Sequence, residues 1–424
     1  MIRIESSLNC CGCSACASIC PKQCITMQPD EEGFLYPEVD VVSCIDCGKC
    51  ESVCPILSVN EPQQPTHVYC SKNKDEAIRK HSSSGGVFTA IAEVVIREGG
   101  VVFGAKFDTS WKVIHSYTET VEGLKDFRGS KYVQSEIGES FEQTEIFLKQ
   151  KRKVLFSGTP CQIAGLRKYL RRNYDNLICI DVVCHGVPSP LVWNKYVETL
   201  CSKNKIGNKS VSYLKEIPKI TGISFRDKRA GWRKYAFSAW SSRIKGNTLS
   251  LLKNKKRIKY EILQQNVFMR GFLQHLYLRP SCHHCCFRNF RSGSDLTMAD
   301  FWGIERMYPK FSDDKGVSLL IQKNEGVSSL LNNCSIEKIE VPVSDYLDAF
   351  SGNGALYNDS LPSKNRIAFW NEFKTNSIRI DRLIEENTSF LIKDEIKSKV
   401  IILLLNLHLY DFANCIVKKI KGHR

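Results

Sequence analysis

Two runs of cysteines near the start of the chain share one spacing. Cys10, Cys13, Cys16 and Cys20, followed by Pro21, and Cys44, Cys47, Cys50 and Cys54, followed by Pro55, both read C-x2-C-x2-C-x3-C-P. Three thiolates this close in one loop can cover three corners of a cubane, with a fourth before a proline reaching elsewhere, which is the ligand spacing of 4Fe–4S clusters. The alternative, zinc, is ordinarily held by two separated pairs of ligands. A third cysteine two residues on does not suit that. Cys11 and Cys24 fall outside the register and read as small buried side chains.

A second group lies far downstream. The stretch SCHHCC (281–286) places Cys282 and Cys285 three apart, with Cys286 beside them and His283 and His284 between, while SGTPCQIAGL and VCHGVPSP each carry one cysteine, Cys161 and Cys184. Cys161, Cys184, Cys282 and Cys285 are four thiols available to one further centre, either a 4Fe–4S cluster or a zinc. Two runs of cluster ligands in the same chain favour iron–sulfur. Cys286 is a substitute ligand, and the two histidines are expected to be exposed or behind the ligands. A Cys184–His185 nucleophile is disfavoured, because adjacent side chains usually point apart and no orienting acid is evident.

These groups need elements to hold them. KVLFSGTPCQIAGLRKYL (153–170) reads as a buried strand, a Gly/Pro turn and a helix, and LICIDVVCHGVPSP (177–190) repeats the strand and loop. Cys161 and Cys184 therefore fall just beyond strand ends, where open α/β sheets gather ligands. HSSSGGVFTAIAEVVIREGG (81–100) leads from serines and glycines into an apolar-periodic helix. That start could offer free amides to a phosphate, or Ser84 could be a cap and the glycines a turn. VVFGAKFD (101–108) reads as a buried strand, and DLTMADFWG as a strand leading to Asp300 and Trp302. Pro62 and Pro65 stiffen a polar linker.

The 424 residues suit two or three domains. The twenty cysteines come with no secretory leader, so ligands or redox groups in a reducing, cytoplasmic setting are expected rather than a disulfide framework. No apolar run is long enough for a membrane span. VIILLLNLHLY (400–410) followed by IVKKIKGHR reads as a helix packed on its own domain, or as a basic amphipathic tail able to touch a membrane surface. Net charge is +15; residues 1–60 hold three bases against eight acids, −5, which leaves +20 for the rest. KNKKRIK (253–259) is the one dense basic run. A lone run is usually a solvated face, and no nucleic acid is expected.

Residues 1–58 resemble a two-cluster ferredoxin domain. The resemblance implies that one cluster takes Cys10, Cys13, Cys16 and Cys54 and the other Cys44, Cys47, Cys50 and Cys20, with Gly12, Ala15 and Gly48 letting backbone amides approach the sulfurs. SSSGGVFTA, GSKYVQS, SGTPCQIAGL, VCHGVPSP, CHHCCFR and DLTMADFWG are similar to motifs of the beta-subunit family of coenzyme F420 hydrogenases and dehydrogenases. That resemblance implies FAD beside an iron–sulfur cluster, with electrons exchanged with a redox donor or acceptor protein and a soluble hydride carrier such as a deazaflavin. It also extends to chains associated with surface-polysaccharide pathways. Ser84, Gly85 and Gly86 would lie near FAD, and Gly129, Lys131 and Tyr132 would line the flavin or substrate side. Lys131 is a candidate cation for the reduced ring, or a surface lysine. Gly158, Thr159 and Pro160 would border the cluster loop.

The expected architecture is an α+β ferredoxin-like head with two 4Fe–4S clusters (1–58), a linker (59–68), a larger α/β flavin and iron–sulfur body (69–345) and a helical C-terminal extension (346–424). The function expected is an iron–sulfur flavoprotein oxidoreductase. The alternative is a non-catalytic electron-relay subunit docking to a separate enzyme.

Overall fold

The computed structural model describes residues 1–202, 219–242, 255–375, 378–407 and 409–410. Its strands in chain order are β1 (Ile25–Pro29), β2 (Leu35–Val39), β3 (His67–Asn73), β4 (Val101–Phe107), β5 (Val113–Thr118), β6 (Val154–Gly158), β7 (Leu177–Val182), β8 (Lys219–Asp227), β9 (Ala236–Ser242), β10 (Lys255–Ile262), β11 (Leu296–Asp300), β12 (Ser318–Gln322) and β13 (Ile336–Glu340). The chain divides into two compact units, Met1–Asn194 with Tyr277–Pro362 and Lys195–Leu276 with Ser363–Arg424.

The first unit is built on an eight-stranded sheet of order β13-β3-β12-β11-β7-β6-β4-β5. Four adjacent strands, β11, β7, β6 and β4, run parallel, and antiparallel pairs extend the sheet on both sides. Parallel strands are covered on both faces, so their sequences are nearly continuous apolar runs. The pleat sorts them: Val102, Leu155, Ile178 and Ile180 enter one core with the helix Val87–Arg97, while Val101, Phe103, Val154, Phe156 and Cys179 enter another with the helix Pro160–Leu170. The strands read from 101, 153 and 177 onward, and the helix after SGTPC, lie where the sequence put them. The antiparallel flanks, made partly by β12 and β13, carried no signal that sequence reading used.

The head carries the hairpin β1–β2 and two single-turn helices, Ala15–Ser18 and Lys49–Ser52. It does not have a wholly separate core. Cys11, Cys13, Ala15 and Val53 join the second core of the sheet, leaving Ile2, Cys24, Ile25 and Cys50 as the head's own cluster. Head and sheet thus share one compact unit. Residues 195–276 group with 363–424 in the other compact unit.

The second unit holds the antiparallel sheet β10-β9-β8 and the helices Val267–Leu273, Arg366–Thr375, Ile380–Glu386 and Ile392–Asn406. Ala230, Ala236, Ile262, Ile401 and Tyr410 form a core there, with the Tyr410 hydroxyl donating to the Ala230 carbonyl. No helix among the described residues is long and apolar enough to cross a membrane. The basic tail from residue 411 and the first two residues of KNKKRIK lie outside the described residues.

Candidate redox centres

The ligand loops of the head follow from their backbone. Gly12, Ser14, Asp46 and Gly48 all take positive φ, of 69, 64, 50 and 70°, so the same left-handed turns recur in both cysteine runs. Left-handed residues in such loops turn successive N–H groups inward into anion-binding concavities, as at many Fe–S sites. Two amides already point at thiols: Ile2 N–H lies 3.3 Å from Cys50 Sγ and Asp46 N–H 3.4 Å from Cys44 Sγ.

Two small, almost wholly apolar hollows open between these loops. One is lined by Cys20, Cys44, Cys47 and Cys50, with Cys24, Pro21 and Ile45. The other is lined by Cys10, Cys13, Cys16 and Cys54, with Cys11, Pro55 and Ile56. In each, three cysteines of one run meet the fourth cysteine of the other, the crossed grouping that the ferredoxin resemblance implies. Burial, then neighbouring Cys10 and Cys54, push the Cys16 thiol up to about 12. A thiol so placed ionises only when positive charge arrives, which a metal core supplies. Cys24 and Cys11 do more than fill space. Cys24 Sγ stands 3.4 Å from Cys20 Sγ, and Cys11 faces the body.

The body thiols come from three segments. Cys161 lies in the first turn of the helix that follows β6, and Cys184 two residues beyond the adjacent β7. Cys282 lies in the short turn Pro280–His284, and Cys285 closes it. That turn is pinned to the loop after β7 by a bridge between Pro188 and Leu278 and by the Arg279 amide donating to the Val187 carbonyl at 2.9 Å. The four thiols are near neighbours. Burial, then Cys282 and Cys161, hold Cys184 well above the ordinary thiol range. Burial and Cys285 push Cys282 up to about 12, and burial and Cys161 push Cys285 up to about 11. Cys286 belongs to the same group, raised to about 12 by burial and then by Cys285 and Cys161. A hydrogen bond with Cys11, then burial, hold Cys161 high, so the head's extra cysteine reaches the body's group.

Among the described residues no three His, Cys, Asp or Glu side chains close on a single ion. The fit to clusters rests on the donor set instead: thiols in fours, all but Cys47 at least partly buried, few competing carboxylates, and loops whose amides turn inward. His284 is exposed, as sequence reading allowed. His283 is buried and donates from Nδ1 to the Ser360 carbonyl.

Three further loops gather at the carboxyl end of β6. The Ser83 hydroxyl oxygen accepts from the Ser130 amide at 2.6 Å and the Ser130 hydroxyl at 2.9 Å, tying SSSGG to GSKY. Lys131 Nζ donates to the carbonyls of Asp126 and Arg128. It keeps some exposure, yet the protein around it pulls the ammonium down to about 7. His115, on β5, lies beside it. Its Nε2 is 3.0 Å from the Ser157 carbonyl, which can only accept, so Nε2 carries the proton and Nδ1 accepts from the Ser135 hydroxyl at 3.0 Å. Gln162 Nε2 donates to Ser135 Oγ, while its Oε1 accepts from the Thr159 amide and hydroxyl. Thr159 Oγ1 is 3.2 Å from Cys161 Sγ. A buried polar chain therefore links His115 to the body thiols. Pro160 begins the helix, where its missing donor costs nothing.

Some expected flavin contacts have other work. Ser84 Oγ donates to the Val317 carbonyl. A Cβ on Gly85 would meet the Ser71 carbonyl oxygen at 2.5 Å and Ser318 N at 2.8 Å, so this glycine lets three backbones pack. Gly86 starts its helix in the left-handed region with no side-chain cap across the amides. Gly129 also has positive φ and no heavy atom within 4 Å of where a Cβ would stand, and Tyr132 follows in the same loop, partly exposed. Gly158 ends β6 with Gln162 and His115 beside it. An open helix start, open space at Gly129 and the Lys131 cation suit an anionic flavin. Ser84 and Gly85 tie this turn to Val317 and to Ser318, the first residue of β12.

The arrangement defines an iron–sulfur electron-transfer protein with an α/β body. The profile of the 4Fe-4S dicluster domain matches residues 9–56. Those of the coenzyme F420 hydrogenase/dehydrogenase beta subunit match residues 68–142 for its N-terminal part and 151–344 for its C-terminal part. The chain belongs to the coenzyme F420 hydrogenase/dehydrogenase beta-subunit family and carries an N-terminal 4Fe–4S domain. Among solved structures it is similar to a chain of the F420-reducing [NiFe] hydrogenase complex from Methanosarcina barkeri, studied by xenon derivatization, with 17% identity and a TM-score of 0.42 over 75% of this chain and 97% of that one. No curated protein matches it.

Proposed function

We propose that the chain is an iron–sulfur flavoprotein oxidoreductase, passing electrons between three 4Fe–4S centres and FAD, and exchanging hydride with a soluble carrier such as a deazaflavin. The single observation that carries this reading is the gathering of the cysteines into three fours, two in the head and one at the strand ends beside the GSKY and SGTPC loops. A redox donor or acceptor protein is the partner expected, and a surface-polysaccharide pathway is one setting that suits the family. When bound, the clusters supply one-electron steps and the flavin joins these to two-electron chemistry.

The chain's own residues hold and orient. Cys10, Cys13, Cys16 and Cys54, then Cys20, Cys44, Cys47 and Cys50, would hold the head centres, and Cys161, Cys184, Cys282 and Cys285 the body centre. Thr159, Gln162, Ser135 and His115 fix the loop that bears Cys161. Lys131 stands near neutrality and can give or take a proton at Nζ close to pH 7. Ser83, through Ser130, keeps Gly86 and Gly129 on neighbouring loops.

A second reading is supported by the packing of Ser84 and Gly85. On it the chain is an electron-relay subunit without flavin that docks to a separate enzyme. Flavin released per reconstituted chain, with turnover of a dye acceptor, separates the two. About one FAD and dye turnover support the oxidoreductase; full iron with neither supports the relay.

A further inference from the structure

Arg279 is fully buried and takes part in none of the steps above. Its Nε donates to the Cys10 carbonyl at 2.8 Å, Nη1 to Gln134 Oε1 at 3.0 Å and Nη2 to the Leu35 carbonyl at 2.9 Å. Its guanidinium lies 4.3 Å from the Tyr36 ring centroid and 5.4 Å from that of Phe34. All three acceptors are neutral, and among the described residues no carboxylate pairs with it. Arginine does not lose its proton in a protein, and a buried charge without a partner costs several kcal/mol. The negative charge that compensates it must come from elsewhere.

Its neighbours indicate where. Arg279 precedes SCHHCC by two residues, and the Cys282 amide donates to its carbonyl at 2.9 Å. In the other direction its side chain sits on the Cys10 loop. A Cβ on Gly12 would fall 2.7 Å from Nη1 and 2.8 Å from Gln134 Nε2, so Gly12 is bare to admit this pair. Gln134 Nε2 in turn donates to the Cys11 carbonyl at 3.0 Å. The ionisable groups beside the guanidinium are the Cys10 thiol, the Tyr36 phenol and the Cys11 and Cys282 thiols. Through the Cys10 carbonyl, Gly12 and the Cys282 turn it borders one thiol set of the head and the thiol set of the body, lining neither head hollow itself.

We propose that Arg279 is a fixed counter-charge shared by the Cys10/Cys13/Cys16/Cys54 centre and the Cys161/Cys184/Cys282/Cys285 centre, raising the reduction potential of both. The inference rests on the reading that these thiol sets hold iron–sulfur clusters. Reduction of either centre takes one electron from the external donor or a neighbouring centre. It adds one unit of negative charge, makes no bond and leaves the guanidinium protonated. A cation at fixed distance stabilises the more negative state more, so it favours the electron on these two centres.

The test is EPR-monitored potentiometric titration of the full, anaerobically reconstituted chain as wild type, Arg279→Gln and Arg279→Lys, each with its iron counted. Arg279→Gln is expected to lower the reduced-to-oxidised ratio of two centres at fixed potential at least tenfold, about 59 mV for one electron. The outer centre stays in place as an internal reference. Arg279→Lys, which keeps the charge and loses the fork, is expected to remain near wild type; a Gln variant that loses iron where the Lys variant keeps it has the same meaning. The proposal is overturned if the two variants behave alike, whether unchanged, equally shifted or equally unstable, or if Lys is the worse. A wild-type chain that takes up no iron contradicts the cluster reading instead, and the iron count distinguishes that case.

Discussion

Cys47 in the head is exposed, and Val42 and Ile45 beside it are 92% and 59% exposed. The body thiols are only partly accessible, lie at the ends of β6 and β7, and have protein packed round them that pushes Cys282 up to about 12. One chemistry therefore sits in two surroundings. The outer head set meets solvent and any docking protein, whereas the body set is reached from the head through Cys11 and Arg279. Exposure and hydrogen bonds to sulfur are among the levers on cluster potential, so centres held in the two surroundings are expected to differ in potential. It also separates ligands that one loop can supply from ligands that only the tertiary fold can assemble.

Alkylation of the metal-free folded chain gives the largest contrast. A thiol raised from 9.0 to about 12 holds roughly a thousandth of the ordinary thiolate. Cys47, which is exposed, is expected to react with iodoacetamide well before the enclosed Cys282, as read by mass spectrometry of time points. Comparable rates would remove the distinction between the surroundings.

The head–body contact is tested next. Gly12→Val puts a branched side chain at positive φ against Arg279 and Gln134 and is expected to cost about 3 kcal/mol in denaturant unfolding. Gly48→Ala, also at positive φ but with open space around it, is expected to cost about 1 kcal/mol. Equal costs would mean that the contact contributes nothing.

Acid sharpens the account of the polar chain behind Cys161. Burial pulls His115 down to about 4 from 6.5. Folding keeps it neutral while the unfolded chain accepts a proton below about 6.5. Its contribution is therefore complete above that pH and is lost as pH falls towards 4, about 2 kcal/mol by pH 5. His115→Asn is expected to flatten that part of the stability–pH profile, and an unchanged slope would contradict the assignment. The smallest effect expected is at the flavin loop, where Lys131→Ala weakens FAD binding about tenfold in a fluorescence titration, near 1.4 kcal/mol. Unaltered affinity would return Lys131 to the surface.

Much of this was legible in the sequence. The head ligands recur at one short spacing, and Cys161 and Cys184 follow apolar runs that are strands in the fold. Other roles exist only by juxtaposition. Cys11 read as a packing residue because its partner, Cys161, is distant in sequence. Arg279, Gln134 and His115 carried no motif, since burial gives them their meaning. Gly12, expected to let amides approach sulfur, turns its own amide to Cys10 and also makes room for a guanidinium. Gly85 matched a flavin motif but spares two backbones a clash. The second compact unit escaped notice because Lys195–Leu276 and Ser363–Arg424, distant in sequence, belong together.

SCHHCC is proposed to complete a third centre with Cys161 and Cys184. Iron and sulfide per chain, counted anaerobically for the reconstituted wild type beside a Cys282→Ser/Cys285→Ser variant, test it most directly. About twelve irons falling to about eight is the result expected of three cubane clusters. About eight in both proteins would contradict it and leave the body thiols to zinc or to packing.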